Sequence, residues 1–169
     1  MRSTGPIHRL LAMDHARLDV LLTRASPPSG GMDLASFALF RAGILRHIGM
    51  EEKVLLQEGR RANGGEPLTL ASRLRIDHGA IAILLVPSPT PGIVSEIRSI
   101  LAGHNEVEEG PGGFYEVSDR LLAPSVEAVL ERLRTFPEVK LAPHVDGPRV
   151  IRTAEEALRV SGRQRPRRS

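Results

Sequence analysis

Apolar side chains recur three or four positions apart along most of the chain, a spacing typical of amphipathic helices. The first run extends from about Ile7 to Thr23 and is followed by the Pro- and Gly-rich segment 26–31. A second run begins after Asp33, a residue suited to an N-cap, and continues to about Ala62. No segment shows the alternation of apolar and polar residues typical of a strand. The chain is therefore predicted to be all-α.

Two further long helices are predicted in the middle of the chain. Pro67 suits the first turn of the third helix, which runs to Leu85. Thr90 suits the N-cap of the fourth helix, which reaches Glu108 before a glycine-rich segment. Because the connections are short, four such helices favour an up-down-up-down four-helix bundle.

The last third of the chain has a less regular pattern. Residues 1–135 are predicted to form the bundle domain, and residues 136–169 a short helical C-terminal extension with a disordered Arg-rich tail. The shorter elements expected are helices over 114–122, 125–136 and 154–160 and an ordered loop over 137–148.

A polar motif occurs twice on the predicted helices. It is a histidine, three intervening residues and two successive glutamates, with an Asp-His pair on the preceding helix. The first copy comprises Asp14-His15 and His47 to Glu52, and the second comprises Asp77-His78 and His104 to Glu109. A helix turns once in about 3.6 residues, so the histidine and first glutamate of each copy share a face. The pattern indicates an internal duplication.

These motifs predict a metal site. A single histidine on an apolar face is more often a satisfied core residue than a ligand, but four in register would be costly to bury without partners. Imidazole and carboxylate without sulfur favour iron, manganese or zinc, and two carboxylates able to bridge favour a pair of ions. The predicted ligands are His15, His47, Glu51, His78, His104 and Glu108.

Composition removes several other classes of site and partner. The chain has no cysteine, which excludes disulfides, thiolate zinc sites, iron–sulfur clusters and a cysteine nucleophile. Aromatic residues make up only 3%, so no specific nucleic-acid partner is expected. No apolar run is long enough to cross a bilayer, and no leader pattern begins the sequence. A cytoplasmic protein without a membrane partner is expected, and a homodimer is compatible with the sequence.

The two Asp-His elements and the two His-x-x-x-Glu-Glu elements resemble those of the hemerythrin family, specifically the hemerythrin-like HHE cation-binding domains. The resemblance covers about residues 7–122. It implies a four-helix bundle with a non-haem di-iron centre that binds dioxygen or a related small ligand, bridged by Glu51 and Glu108. By the same resemblance, His15 and His47 serve one iron, and His78 and His104 the other.

One position departs from the oxygen carriers of this family. They carry a fifth histidine one turn before the position of His78, where this chain has Leu74. The departure weakens the case for a simple reversible oxygen carrier and opens peroxide, nitric oxide or redox chemistry. Three functions therefore compete: a binding protein for oxygen, iron or nitric oxide in sensing, storage or protection; a di-iron oxidase or peroxide-consuming enzyme; and a metal-stabilised interaction module.

Residues next to the motifs are secondary candidates. Glu52 and Glu109, about 100° around the helix from the predicted ligands, suit an outer position or the helix surface. The same two interpretations are open for Asp14, Asp19 and Asp77. Tyr115 lies beyond the glycine break, where packing is favoured over a turn toward the metal. His8 and His144 are expected to be structural or surface residues.

Overall fold

A computed structural model describes residues 4–163, which are largely helical and include no β-strand. This confirms the predicted all-α class. The helices are α1 (Pro6–Ala25), α2 (Leu34–Met50), a π-helical segment (Glu51–Leu55), α3 (Leu56–Ala62), α4 (Ala71–Leu84), α5 (Pro91–Glu109), α6 (Phe114–Leu121), α7 (Val126–Arg134) and α8 (Ala154–Arg163), with a 3₁₀ turn at Ala123–Ser125.

Two long helices begin at the N-caps that the sequence predicts. The Asp33 carboxylate accepts a hydrogen bond from the backbone N–H of Ser36 (3.1 Å). The Thr90 hydroxyl oxygen accepts one from the N–H of Ile93 (3.2 Å). Each side chain satisfies a backbone donor that the first turn of the helix leaves unpaired, which fixes where α2 and α5 start.

The predicted start of the third long helix is wrong. That helix, α4, begins at Ala71 and not at Pro67. The preceding residues form turns, and Leu68 is buried there against α3. A Cβ atom on Gly59 would lie 2.8 Å from Leu68 Cδ1, so the absence of a side chain on this glycine lets the leucine pack. This contact holds the connection against α3 and delays the helix.

The second predicted helix corresponds to three successive elements: α2, a π-helical segment and α3. In the π-helical segment, the N–H of Leu56 bonds the carbonyl of Glu51, five residues earlier. Such segments commonly occur at functional sites, since the extra residue turns neighbouring side chains to new directions. Here it begins at the first glutamate of a duplicated motif.

Apolar residues form two buried clusters, and the four motif histidines lie between them along the helices. On α1, Leu11 belongs to the first cluster and Leu18 to the second, with His15 between them. On α2 the order is reversed, because Ile44 belongs to the second cluster and Met50 to the first. Helix α4 repeats the order of α1, and α5 the order of α2. Successive helices thus cross the two clusters in opposite directions.

The C-terminal extension packs on the long helices. Arg46 on α2 donates to the carbonyl of Phe136 (2.9 Å), and Arg41 donates to that of Ala142 (2.8 Å). Helix α8 then lies along α4, where the Ser161 hydroxyl donates to the Ile76 carbonyl (2.8 Å). The segment predicted as a loop, 137–148, contains no helix.

The end of the last helix differs from the prediction, and the lengths of the helices bear on membrane crossing. The last helix continues to Arg163, three residues beyond its predicted end, and the remainder of the predicted disordered tail lies outside the described residues. Within residues 4–163, no helix has the length and apolar character needed to cross a membrane.

Candidate metal centre

The structure brings the six predicted ligands together in the interior. Their side chains come from α1, α2, the π-helical segment, α4 and α5, and none is more than 8% exposed. The two clusters of apolar side chains lie on either side of them along the helices. The six residues are His15, His47, Glu51, His78, His104 and Glu108.

These residues form two groups that share their carboxylates. The first group contains His15 and His47, and the second contains His78 and His104; Glu51 and Glu108 belong to both. Within each group, one possible ligand atom per residue lies within 4.8 Å of all the others. Two histidines and two carboxylates at this separation could hold one ion in each group.

Each shared carboxylate directs one oxygen to each group. Glu51 Oε1 lies 3.2 Å from His47 Nε2, and Glu51 Oε2 lies 3.1 Å from His78 Nε2. Glu108 Oε2 lies 3.2 Å from His15 Nε2, and Glu108 Oε1 lies 3.0 Å from His104 Nε2. A carboxylate in this position can bridge two ions.

The outward nitrogen of every motif histidine faces a second carboxylate. His47 Nδ1 lies 2.8 Å from Asp14 Oδ2, and His104 Nδ1 lies 3.3 Å from Asp77 Oδ2. His15 Nδ1 lies 2.5 Å from Glu109 Oε1, and His78 Nδ1 lies 3.0 Å from Glu52 Oε1. A carboxylate only accepts, so each pair fixes a proton on Nδ1 and turns Nε2 inward, where the neutral imidazole would offer its lone pair to a metal.

These outer contacts follow the duplication. Within each repeat, the aspartate of the Asp-His pair binds the histidine of the His-x-x-x-Glu-Glu element. Between repeats, the second glutamate of one element binds the Asp-His histidine of the other. Among the secondary candidates, Glu52, Glu109, Asp14 and Asp77 therefore contact the site. Asp19 instead accepts from Arg98 at the surface (2.9 Å).

In the protein without metal, the imidazoles and carboxylates of the site stabilise each other's charged forms. Burial by itself lowers the pKa of His47, but the Glu51 charge and the hydrogen bond to Asp14 raise it to about 10. Burial likewise opposes protonation of His104, but the neighbouring Asp77 and Glu108 carboxylates raise its pKa to about 9. Burial and the neighbouring Glu108 charge raise the pKa of Glu51, yet the His47 charge overcomes them and leaves it at about 2. Protons on the imidazoles thus balance the carboxylates.

Three atoms at the middle of the site make no hydrogen bond. They are Glu51 Oε2, Glu108 Oε1 and His78 Nε2, all fully buried and all members of the second group. Buried polar atoms are rarely left without a partner, and an unsatisfied one calls for an explanation such as an ion. Oxygen and nitrogen donors that converge without bonding to one another fit a divalent or trivalent metal.

Tyr115 turns toward the site, contrary to the packing interpretation. Its hydroxyl oxygen lies 2.6 Å from Glu51 Oε1 and 3.1 Å from Glu108 Oε2. It also lies 3.1 Å from His15 Nε2 and 3.2 Å from His47 Nε2. A phenol has one proton, and the shortest contact assigns it to Glu51. Tyr115 therefore adds an oxygen to the first group and none to the second.

The turn after α5 explains how Tyr115 reaches the centre. Gly112 has a φ of 71°, and a Cβ on Gly113 would lie 2.7 Å from three carbonyl oxygens. Only glycine suits both positions, which reverse the chain and start α6. Asp119 on α6 then accepts from the backbone N–H of Ile7 and His8 (2.9 and 3.1 Å). These contacts fix α6 against the start of α1.

Three remaining candidates, His8, His144 and Asp19, are not brought into either group of possible ligands, and Leu74 has no donor atom to offer. His8 packs edge-on against the Tyr115 ring (centroids 5.6 Å apart), and His144 lies near Phe37. Leu74, at the position of the family's fifth histidine, is fully buried in the first cluster. Asp19 forms its ion pair with Arg98. Tyr115 is the candidate whose contacts differ from the favoured expectation, and a tyrosine shortly after a glycine turn was the available signal.

Metal ligation by the six residues remains a prediction, although their arrangement fits it. Neither a protein-family model, nor a curated protein sequence, nor a solved structure matches this chain.

Proposed function

We propose that this protein is a hemerythrin-like non-haem di-iron protein that binds dioxygen or a related small ligand for sensing, storage or protection. One observation supports it above the others. Four imidazoles each have Nδ1 paired with an outer carboxylate and Nε2 directed at two carboxylates that span both groups. Structural histidines need no such duplicated pairing, whereas metal-binding histidines commonly have it.

The packing order of the long helices supports a four-helix bundle. Helices α1, α2, α4 and α5 cross the two apolar clusters in alternating order, as up-down-up-down connectivity requires. In that arrangement each helix contributes one histidine at a common level. The interior of a bundle suits paired metals because side chains on facing helices meet there.

The protein's own residues would orient the ligands and exclude water. Glu51 and Glu108 would bridge the two ions, with His15 and His47 at one and His78 and His104 at the other. A pair of iron ions supplies the capacity to bind small oxygen-containing ligands and to exchange electrons with them. The apolar clusters above and below the site limit entry of bulk water and loss of reactive products.

The choice of iron is part of the proposal. The donors are nitrogen and oxygen alone, a set that also suits manganese and zinc. The resemblance of the duplicated motifs to hemerythrin-like domains is what favours iron, because those domains hold a di-iron centre.

A second function, a di-iron oxidase or peroxide- or nitric oxide-handling enzyme, is favoured by the difference between the two halves. Leu74 offers no donor to the second group, whereas Tyr115 presents an oxygen to the first. The Tyr115 hydroxyl can donate a proton within the site, which reduction of peroxide requires. Steady consumption of peroxide or oxygen with a reductant would distinguish this enzyme from a binding protein.

The third function, an interaction module, gains less support from the extension. Arg41, Arg46 and Ser161 all bond across the junction between the extension and the long helices. The side of the extension that faces the long helices is therefore already occupied by contacts within the chain and is not free to bind a partner. Retention of partner binding after loss of metal, with no small-molecule reactivity, would favour this function.

Metal analysis of protein purified without a metal-binding tag tests the proposal. It should be paired with optical spectra of the reduced protein before and after exposure to oxygen. About two irons per chain, as the two groups of ligands require, and an oxygen-dependent spectral change support the di-iron function. One zinc or no metal with a featureless spectrum would overturn it.

A further inference from the structure

A cleft of about 220 Å³ opens from the surface onto His15, between α1 and α5. Water occupies about 30 Å³ per molecule in the liquid, so the cleft has room for several molecules of that size. Five of the nine residues that line it are apolar. They are Leu18, Phe40, Ile44, Leu101 and Ala102.

His15 is the most accessible of the six candidate ligands. It is 8% exposed, whereas the other five are 0–3% exposed. The sequence directs attention to the opposite half of the centre, where Leu74 replaces a histidine. The structure instead places the open approach beside the first group.

Opposite charges meet among the residues that line the cleft. Arg98 donates to Asp19 (2.9 Å) and to the Thr23 hydroxyl (2.7 Å). A cleft with one sign of charge would concentrate ions of the other sign, but the two charges of this pair offset each other. The lining therefore favours uncharged molecules over ions.

One of the lining residues, Asn105, has a polar atom without a partner. Asn105 Oδ1 is buried and makes no hydrogen bond. Because this oxygen is closed to water-sized molecules, it makes no contact with a molecule in the cleft, and other atoms of the lining determine what binds there. Dioxygen and hydrogen peroxide are both uncharged and close to water in size, so the cleft has room for either.

We propose that this cleft is the entry route and binding site for small uncharged oxygen species, dioxygen or hydrogen peroxide, on their way to the His15 side of the centre. The proposal rests on the proposed function for the destination of the ligand. The cleft itself can be tested without iron.

Dissolved dioxygen is paramagnetic and speeds the relaxation of protons near it. The test measures this effect on methyl groups by NMR, in full-length protein saturated with zinc and again without metal. Ile44 and Leu18 report on the cleft, and the similarly buried Ile93 and Leu56 serve as controls elsewhere. We expect a several-fold larger effect at the two cleft residues. A nitroxide too bulky to enter should produce no such difference.

A side chain that fills the cleft provides the matched comparison. Ala102→Phe replaces an exposed residue of α5 that lines the cleft, and Ala128→Phe places the same ring on exposed α7 surface. Ala102→Phe should reduce the dioxygen effect at Ile44 and Leu18 to the control level, and Ala128→Phe should leave it unchanged. Equal effects at cleft and control methyls in the parent protein, or no change with Ala102→Phe, would overturn the proposal.

Iron-loaded protein separates this proposal from the proposed function. With iron content unchanged, Ala102→Phe should slow oxidation of the reduced centre by dioxygen or peroxide several-fold. Dioxygen in the cleft of a protein that binds no iron would overturn only the proposed function. Two bound irons without access through the cleft would overturn only the route.

Discussion

The Asp14 carboxylate holds His47 by its outward nitrogen, with Asp14 Oδ2 2.8 Å from His47 Nδ1. The carboxylate is also bound by Arg17, 2.8 Å away. Burial tends to raise the pKa of Asp14, but the hydrogen bonds from His47 and Arg17 lower it to about 2. Asp14 therefore stays charged at neutral pH and fixes the imidazole with its inner nitrogen toward Glu51.

Asp14→Asn should weaken metal binding without removing a predicted ligand. Loss of a carboxylate behind a metal-binding histidine commonly lowers metal affinity about 10- to 100-fold. Competition with a chelator measures the change. Asp19→Asn, on the same helix, is the control because Asp19 pairs with Arg98 at the surface and should leave affinity unchanged. Equal affinity in the Asp14 variant and the parent would show that the pairing does not support metal binding.

Glu108→Gln should remove most of the metal from both groups. Its carboxylate is shared by the two groups, and an amide offers only one oxygen in the same space. Because metal binding also stabilises the fold, the melting temperature should fall with the metal content. Glu106→Gln, two residues earlier on the exposed side of α5, provides the comparison. Full metal content and parent stability in Glu108→Gln would contradict the assignment.

Stability of the metal-free protein should decrease as the pH rises above neutrality. The pKa of His104 is about 9 and that of His47 about 10, above the ordinary 6.5 that applies when the chain is unfolded. The folded state binds these protons more tightly, so their contribution is complete below pH 6.5 and is lost as the pH passes 9 and 10. Chemical unfolding between pH 7 and 10 measures the loss.

Metal should reverse the direction of this pH effect. Ligation requires neutral imidazoles, so binding displaces the protons and becomes tighter as the pH rises. Proton release on addition of metal in weakly buffered solution measures the displacement. Binding without proton release near pH 7 would show that His47 and His104 are not ligands.

Tyr115→Phe should destabilise the metal-free protein more than the metal-loaded one. Without the hydroxyl, Glu51 Oε1 loses its 2.6 Å donor in a fully buried position, at a cost of about 1–3 kcal/mol. Bound metal would hold the same carboxylate and reduce that cost. Urea unfolding of both forms gives the two values. An equal cost in both would show that metal does not engage Glu51.

The sequence predicts which polar side chains converge in the interior better than it predicts what surrounds them. His47 and Glu51 are related by the geometry of one helix, and the duplication repeats that relation at His104 and Glu108. Tyr115 reaches the site only because of the turn at Gly112 and Gly113, and no periodicity extends across such a turn. Contacts between helices, such as Asp14 with His47, become definite only when the helices are packed.

The fold shows the same division between local and distant effects. Asp33 and Thr90 mark helix starts because a cap acts within three residues. The delayed start of α4 depends on Leu68 meeting Gly59, and the course of the extension depends on Arg41 and Arg46. Each of these contacts joins residues that the sequence pattern does not relate.

The second glutamate of each repeat pairs with a histidine of the other repeat, so each half of the site depends on the other. Glu52 of the first repeat holds His78 of the second, and Glu109 of the second holds His15 of the first. A polypeptide with one repeat would carry an Asp-His histidine and a glutamate that cannot serve each other in this way. Two such polypeptides related by a twofold axis could supply all four pairings. With both repeats in one chain, the two partners of each crossed pairing are always made together and in equal number.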